Sequence, residues 1–268
     1  MGELVVVTAA HNEEIHLPYS IRALIRACDT ANSSWEQVIV LDRCTDRSET
    51  IARDFSKKHP NITIHAKTKV KWKHTYAENL MIGFEYAVKT KADYFAVVDA
   101  DIILEKEYVA KVLPAVSSPR TASASGTLIT APLHQTVHSS IYRAWERSYR
   151  IGLHVAAWGA SRVYRMEPLL SVGGFADFAS PDTELDIRLS RQGFRHRIVP
   201  EAKAYHIRDI FIGNSLRAQV KLGISRHELG VPFHTTVLHG IFRFRPGLIA
   251  GHLIGAVGED REPSPRPL

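Results

Sequence analysis

Cysteine is scarce in this chain of 268 residues: Cys28 and Cys44 are the whole supply. Two thiols cannot build a disulfide framework or a four-cysteine zinc site, and so few fit a reducing compartment. Long apolar runs are missing too. No stretch reaches the ~18 consecutive apolar residues of a membrane span. The longest candidate, Pro246 to Gly258, is short and carries His252. The opening Met1-Gly2-Glu3-Leu4-Val5-Val6-Val7 lacks the basic start and the apolar length of a signal peptide. These absences set the expectation of a cytoplasmic chain, with peripheral contact at the cytoplasmic membrane face left open. There is no internal repeat and no clear linker.

What is present is ordinary globular material, 45% hydrophobic and 23% charged. Lys and Arg number 34 against 28 Asp and Glu, a net charge of +6. That excess suits an acidic partner: a nucleotide diphosphate, a phosphorylated acceptor, nucleic acid or an anionic membrane face. It does not choose among them.

The first half alternates strand and helix patterns. Leu4 to Thr8, Gln37 to Leu41, Asn61 to His65 and Tyr94 to Val98 read as strands. Between them, Leu17, Ile21, Leu24, Ile25 and Cys28 recur at helical spacing, a helix starts near Asp46 and runs to about Lys57, and another spans Tyr76 to Lys89. This rhythm predicts an α/β fold: a mostly parallel sheet with helices on both faces. The second half is less regular. Val137 to Leu153 reads as a helix, Ser161 to Leu170 includes a strand or turn, and Arg197 to Val199 reads as a short strand. Glu184 to Gln192 reads as a helix closed by Gly193. From Phe211 the chain looks helical and amphipathic, and the proline-rich tail from Glu259 reads as disordered.

In an open α/β sheet, ligands bind at the carboxyl ends of the strands. The polar clusters fall there: His11, Asn12 and Glu13 after the first strand, Asp42 and Asp46 after the second, Asp99 and Asp101 after the fourth. Residues i and i+2 of extended chain share a side, so Asp99 and Asp101 can converge on one cation. Hard oxygen ligands near a diphosphate suit Mg²⁺ or Mn²⁺. An ordinary pair of loop acids is the bland alternative.

The wider constellation resembles family 2 glycosyltransferases of the GT-A fold over roughly residues 4 to 210. Val7-Thr8-Ala9-Ala10-His11-Asn12-Glu13-Glu14 looks like that family's first strand and Asn-Glu turn. Val38 to Asp46 looks like its second strand and nucleoside loop. Asn79 sits where the family has an Asn on the helix before its Asp-x-Asp, which Asp99 and Asp101 match. Val172-Gly173-Gly174-Phe175 matches a Gly-Gly-Phe turn, and Pro181 to Leu189 matches the catalytic loop and following helix. The chain departs from the pattern at Ala9 in place of Pro, at Leu41 and Arg43 in place of an acid and Gly, and at Pro181 in place of Glu.

The resemblance implies a metal-dependent hexosyltransferase. It would move a sugar from a UDP- or GDP-sugar to an acceptor hydroxyl by single displacement with inversion. Asp182 would be the general base, although a helix cap is its plainer role. Asp101 would be the main metal ligand, Asp99 would bind the metal or the ribose, and His206 would complete the metal shell. Asp42 would meet the base or ribose, with Ala9, His11, Glu13 and Asn79 lining the same nucleotide-sugar cleft. Residues 1–210 would form the transferase domain, with a nucleotide half over 1–101 and an acceptor half over 102–210. A helical extension would follow over 211–258, with a tail over 259–268.

Other features stay open. Lys67, Lys69, Lys71 and Lys73 alternate and would present one cationic face in extended chain. Arg217, Lys221 and Arg226 suit a basic lid, and Arg162 and Arg165 an acceptor face. His134 and His138 lack the Glu of a zinc-protease motif. The apolar stretch from Val231 to Val257 suits packing, a homodimer contact or a membrane surface, the last fitting a lipid-linked acceptor. Two other function classes compete. One is a nucleotidyltransferase, whose Gly-rich basic loop after the first strand is replaced here by His11-Asn12-Glu13-Glu14. The other is a sugar-nucleotide-binding protein without catalysis. No recognised nucleic-acid motif appears.

Overall fold

The structure is a computed structural model and describes residues 2–130, 159–208, 216–242 and 245–258. The helix expected over Val137 to Leu153, His134 and His138, and the tail from Glu259 lie outside the described residues. The chain divides into two compact units: Met1–Asp177 with Leu185–Asp209, and Phe178–Glu184 with Ile210–Leu268.

The first unit is built on one sheet of eight strands: β1 (Leu4–Ala10), β2 (Trp35–Asp42), β3 (Ile62–Lys67), β4 (Tyr94–Val98), β5 (Ile102–Leu104), β6 (Thr121–Thr130), β7 (Ser161–Arg165) and β8 (Arg195–His206). Their order is β3-β2-β1-β4-β7-β6-β8-β5. The β3-β2-β1-β4 half is parallel throughout. β7 runs antiparallel between β4 and β6, which restores the β4 direction in β6 and in β8, its parallel neighbour. The carboxyl ends of β1, β2, β3, β4 and β8 therefore share one edge.

Both faces of the sheet are covered, which explains the continuous apolar strands. Leu4 and Val6 point into one core with Leu17, Ile21 and Leu24 of α1 (Leu17–Thr30) and Val109 and Val112 of α4 (Tyr108–Val116). Val5 and Val7, one residue out of phase, point into the other with Leu80, Phe84 and Ala87 of α3 (Thr75–Thr90). Each fully buried Val or Leu adds about 1.5–3 kcal/mol. The second core also takes Phe95, Tyr164 and Phe175, whose rings pack edge-on or tilted about 6 Å apart. Phe175 enters it from the Gly-Gly-Phe turn, where Gly173 and Gly174 both have positive φ, 75° and 76°. Gly174 has no room for a side chain, because an added Cβ would overlap the Phe84 ring.

The strand expected at Arg197 to Val199 is far longer, running from Arg195 to His206. It continues past Pro200 by a bulge: Gly126 pairs with Val199, and the next residue, Thr127, pairs with Lys203. Proline lacks a ladder donor and is accommodated at such a bulge. The segment from Ser161 to Leu170 is β7 followed by α5 (Met166–Ser171), and α2 spans Ser48–Lys58.

Helix α6 (Pro181–Arg191) begins in the second unit and ends in the first. The second unit also holds α7 (Leu216–Glu228), α8 (Phe233–Phe242) and α9 (Pro246–Gly258). α7 and α9 pack backbone to backbone: a Cβ on Gly223 would overlap the Leu248 carbonyl, and one on Gly251 the Val220 carbonyl. Within this unit Arg226 donates to Thr236 Oγ1 at 3.1 Å, which ties down one residue of the expected basic lid. Leu238, Ile241, Leu253 and Ile254 are exposed. Among the described residues, no helix is long and apolar enough to cross a membrane.

Candidate active site

A cleft of about 290 Å³ opens at the carboxyl edge of the sheet. The residues expected to hold a nucleotide sugar, Ala9, His11, Glu13, Asp42, Asn79 and Asp99, all line it, together with Asp101. Arg43, Thr75 and Tyr76 complete much of the remaining wall.

At one end Asp42, the last residue of β2, is 3% exposed. Its Oδ1 accepts Arg43 Nε at 2.8 Å and faces Lys67 Nζ at 3.5 Å. Its Oδ2 accepts Asn79 Nδ2 at 3.3 Å and Arg43 Nη2 at 3.5 Å. Burial alone would raise the Asp42 pKa, but the hydrogen bonds from Arg43 and Asn79 and the Lys67 charge hold it below the ordinary carboxylate value. Lys67 also donates to Asn79 Oδ1 at 2.6 Å and Glu78 Oε2 at 3.1 Å. Lys67 thus does not join Lys69 and Lys71 on a cationic face. It is buried, and it ties β2, β3 and α3 together beneath the cleft. The sequence hid this because its acidic partners lie far along the chain or on the following helix. His11 Nδ1 donates to the Asp42 carbonyl at 2.6 Å, which leaves its exposed ring at the cleft mouth.

Asp99 and Asp101 do not lie in extended chain. Ile102 N donates to the Asp99 carbonyl at 3.1 Å, so residues 99–102 form a tight turn between β4 and β5. The expectation that i and i+2 share a side fails here, because β4 ends at Val98. The Asp99 carboxylate accepts Tyr76 Oη at 2.8 Å. Asp101 is placed by β-pairing instead. β5 pairs antiparallel with β8, matching Ile102 to His206, and Ile207 N donates to the Asp101 carbonyl at 3.1 Å.

That register sets His206 Nε2 3.3 Å from Asp101 Oδ2. His206 Nδ1 lies 3.0 Å from the Arg208 carbonyl, an acceptor only, so Nδ1 carries the hydrogen. The hydrogen bond to Asp101 is the main reason the His206 pKa is raised, partly offset by burial. Burial pushes Asp101 up, but His206 and Arg208 overcome it and hold it low. Arg208 Nε donates to the same Asp101 Oδ2 at 2.8 Å, and its Nη2 reaches Glu13 Oε1. Arg208 was not foreseen. Only its closeness to His206 in sequence hinted at it.

Asp101 and His206 fit a divalent cation on three counts. The donor set is hard oxygen with imidazole. Their 3.3 Å spacing is near the ~3 Å between adjacent ligands of a small octahedral ion. The imidazole is oriented through a backbone carbonyl, as metal-binding histidines usually are. Among the described residues no group of three or more His, Cys, Asp or Glu is already drawn together around a metal position. Arg208 occupies the shared Asp101 oxygen.

Asp182 stands in the first turn of α6, which starts at Pro181. Arg162 and Arg165 do not form an acceptor face. Arg162 is 1% exposed, 2.5 Å from Asp186 Oδ1, and Arg165 donates to the carbonyls of Ser118 and Pro119. His196, beside that ion pair, is pushed down to about 4 by burial first and by Arg162 second.

A mixed sheet of this order, with carboxylates and an imidazole gathered at its carboxyl edge, is an α/β fold that carries its polar site where open sheets of this kind bind ligands. Residues 5–165 match Glycosyl transferase family 2, and the chain belongs to that family. It is a glycosyltransferase of the kind that uses nucleotide sugars. No curated protein matches the chain in sequence. Solved structures resemble it in fold. Mannosyltransferase PcManGT from Pyrobaculum calidifontis, in complex with GDP-Man and Mn²⁺, superposes with a TM-score of 0.61 at 15% identity, covering 98% of this chain and 77% of its own. Glucosyl-3-phosphoglycerate synthase from Mycobacterium tuberculosis, with Mn²⁺, UDP and phosphoglyceric acid, gives 0.58 at 14% identity, covering 86% and 80%. TarS from S. aureus gives 0.58 at 11% identity, covering 98% and 76%.

Proposed function

We propose that this glycosyltransferase moves a hexosyl group from a GDP- or UDP-sugar to an acceptor hydroxyl, with Mn²⁺ or Mg²⁺ as cofactor and inversion at the anomeric carbon. The observation that carries the reading is the Asp101–His206 pair, whose aspartate lines the cleft, in a member of family 2. The two neighbours that hold Mn²⁺ with GDP-Man or UDP support it.

Ala9, His11, Glu13, Asp42, Asn79 and Asp99 line the volume for the nucleotide sugar. Asp101 and His206 would hold the metal, with Asp99 as a further oxygen ligand or a ribose contact. When bound, the cation supplies positive charge for the departing diphosphate. Arg208, released from Asp101, remains a cation at that end of the cleft. Asp182 accepts the acceptor's proton as its oxygen bonds to the anomeric carbon. The bond from that carbon to the β-phosphate oxygen breaks, and the nucleoside diphosphate leaves with the electron pair. Residues 1–210 form the transferase domain, and the helices beyond it an extension.

The test is release of nucleoside diphosphate from GDP- and UDP-hexoses with Mn²⁺, read for the unaltered chain and Asp182→Asn. Loss of turnover by ~10²-fold or more, with donor binding kept, is expected. Unchanged turnover in Asp182→Asn would remove that residue from the mechanism.

A further inference from the structure

Arg43 stands at a position whose backbone favours glycine. Its φ is 52°, in the left-handed region, where a Cβ is strained. The strained conformation is held by two anchors: Arg43 N donates to the Lys67 carbonyl at 3.0 Å, and the guanidinium grips Asp42 side-on through Nε and Nη2. The side chain is nevertheless 44% exposed and lines the cleft.

This arrangement changes what the cleft offers a nucleobase. Asp42 is 3% exposed and already accepts from Arg43 on Oδ1 and from Asn79 and Arg43 on Oδ2, with Lys67 Nζ 3.5 Å from Oδ1, so the carboxylate is closed to a ligand. A uracil imino N–H finds no free acceptor there. The guanidinium has used one edge on Asp42. The edge between Nη1 and Nη2 remains, with two parallel N–H donors. A base that matches it needs two adjacent acceptors. Guanine O6 and N7 are such a pair, and Arg takes them in a bidentate grip. Adenine sets a donor beside N7, and uracil offers single acceptors separated by its imino group.

We infer that Arg43, pinned by Asp42, is the base-reading residue of this cleft and selects guanosine diphosphate over uridine diphosphate donors. The inference rests on the cleft being the donor site, as proposed above.

The test measures binding of GDP, UDP, CDP and ADP, each with Mn²⁺, by titration calorimetry on the unaltered chain, Arg43→Gly and Arg43→Lys. Gly suits the positive φ, so Arg43→Gly is expected to fold, which circular dichroism checks. GDP is expected to bind about tenfold or more tighter than UDP. Both substitutions should cut that preference to about twofold or less, mainly by weakening GDP. UDP binding tightest, or a preference for GDP over UDP intact in Arg43→Gly, would overturn the role of Arg43 while leaving a donor site in the cleft. No binding of any of the four nucleotides would overturn the donor-site reading and this inference together.

Discussion

Asp101 Oδ2 stands 3.3 Å from His206 Nε2 and 2.8 Å from Arg208 Nε, so one carboxylate oxygen faces an imidazole and a guanidinium at once. A divalent cation held by Asp101 and His206 has to compete with Arg208 for that oxygen. Arg208→Gln is therefore expected to strengthen Mn²⁺ binding to the nucleotide-free protein severalfold. Calorimetric titration with Mn²⁺ alone reads this. Weaker binding in the variant would mean that Arg208 does not compete with the metal.

Proton linkage should be visible at His196. Its pKa falls from 6.5 to about 4, chiefly by burial and then by the Arg162 charge. The unfolded chain takes up this proton first. The contribution of neutral His196 is thus complete above pH ~6.5 and is lost as pH falls toward ~4, by at most about 3 kcal/mol. Urea unfolding between pH 4 and 7 should show a shallower acid loss in His196→Gln. Parallel curves would place the acid sensitivity elsewhere.

The buried Arg162–Asp186 pair is expensive to break from one side. Arg162→Met removes the guanidinium beside a largely buried carboxylate and is expected to cost about 3–5 kcal/mol in urea unfolding. The double variant Arg162→Met with Asp186→Leu should recover a large part of it. Additive losses would show that packing, and not the ion pair, holds the site.

The two turn glycines separate backbone strain from crowding. Gly173 has φ 75° and nothing within 4 Å of an added Cβ, whereas Gly174, at φ 76°, meets the Phe84 ring. Gly173→Ala is expected to cost about 1 kcal/mol, from the positive φ alone. Gly174→Ala should cost about 1–3 kcal/mol more. Thermal unfolding of the two variants checks the order.

The parallel half of the sheet was legible because its strands are buried on both faces and read as unbroken apolar runs, as in Leu4 to Val7 and Tyr94 to Val98. Gly193 was legible for a related reason: its φ of 83° closes α6 where only glycine is easy. Long-range pairing hid the rest. β8 looked like three residues because Pro200 interrupts it, and only the bulge opposite Gly126 lets the strand reach His206. Arg208 meets Asp101 across 107 residues, a contact that no local pattern encodes. Lys67 was misread because alternation among surface lysines looks the same when its first member turns inward.

The central claim is a metal-assisted donor site built on Asp101 and His206. Thermal unfolding with GDP-hexoses and UDP-hexoses, with and without Mn²⁺, on the unaltered chain and Asp101→Asn tests it most directly. A donor at about 100 times its dissociation constant adds about 2.7 kcal/mol, several degrees for a chain of this size. The account predicts that shift with Mn²⁺ for at least one donor, and its loss in Asp101→Asn. An equal shift without metal, or one that survives in Asp101→Asn, would contradict it.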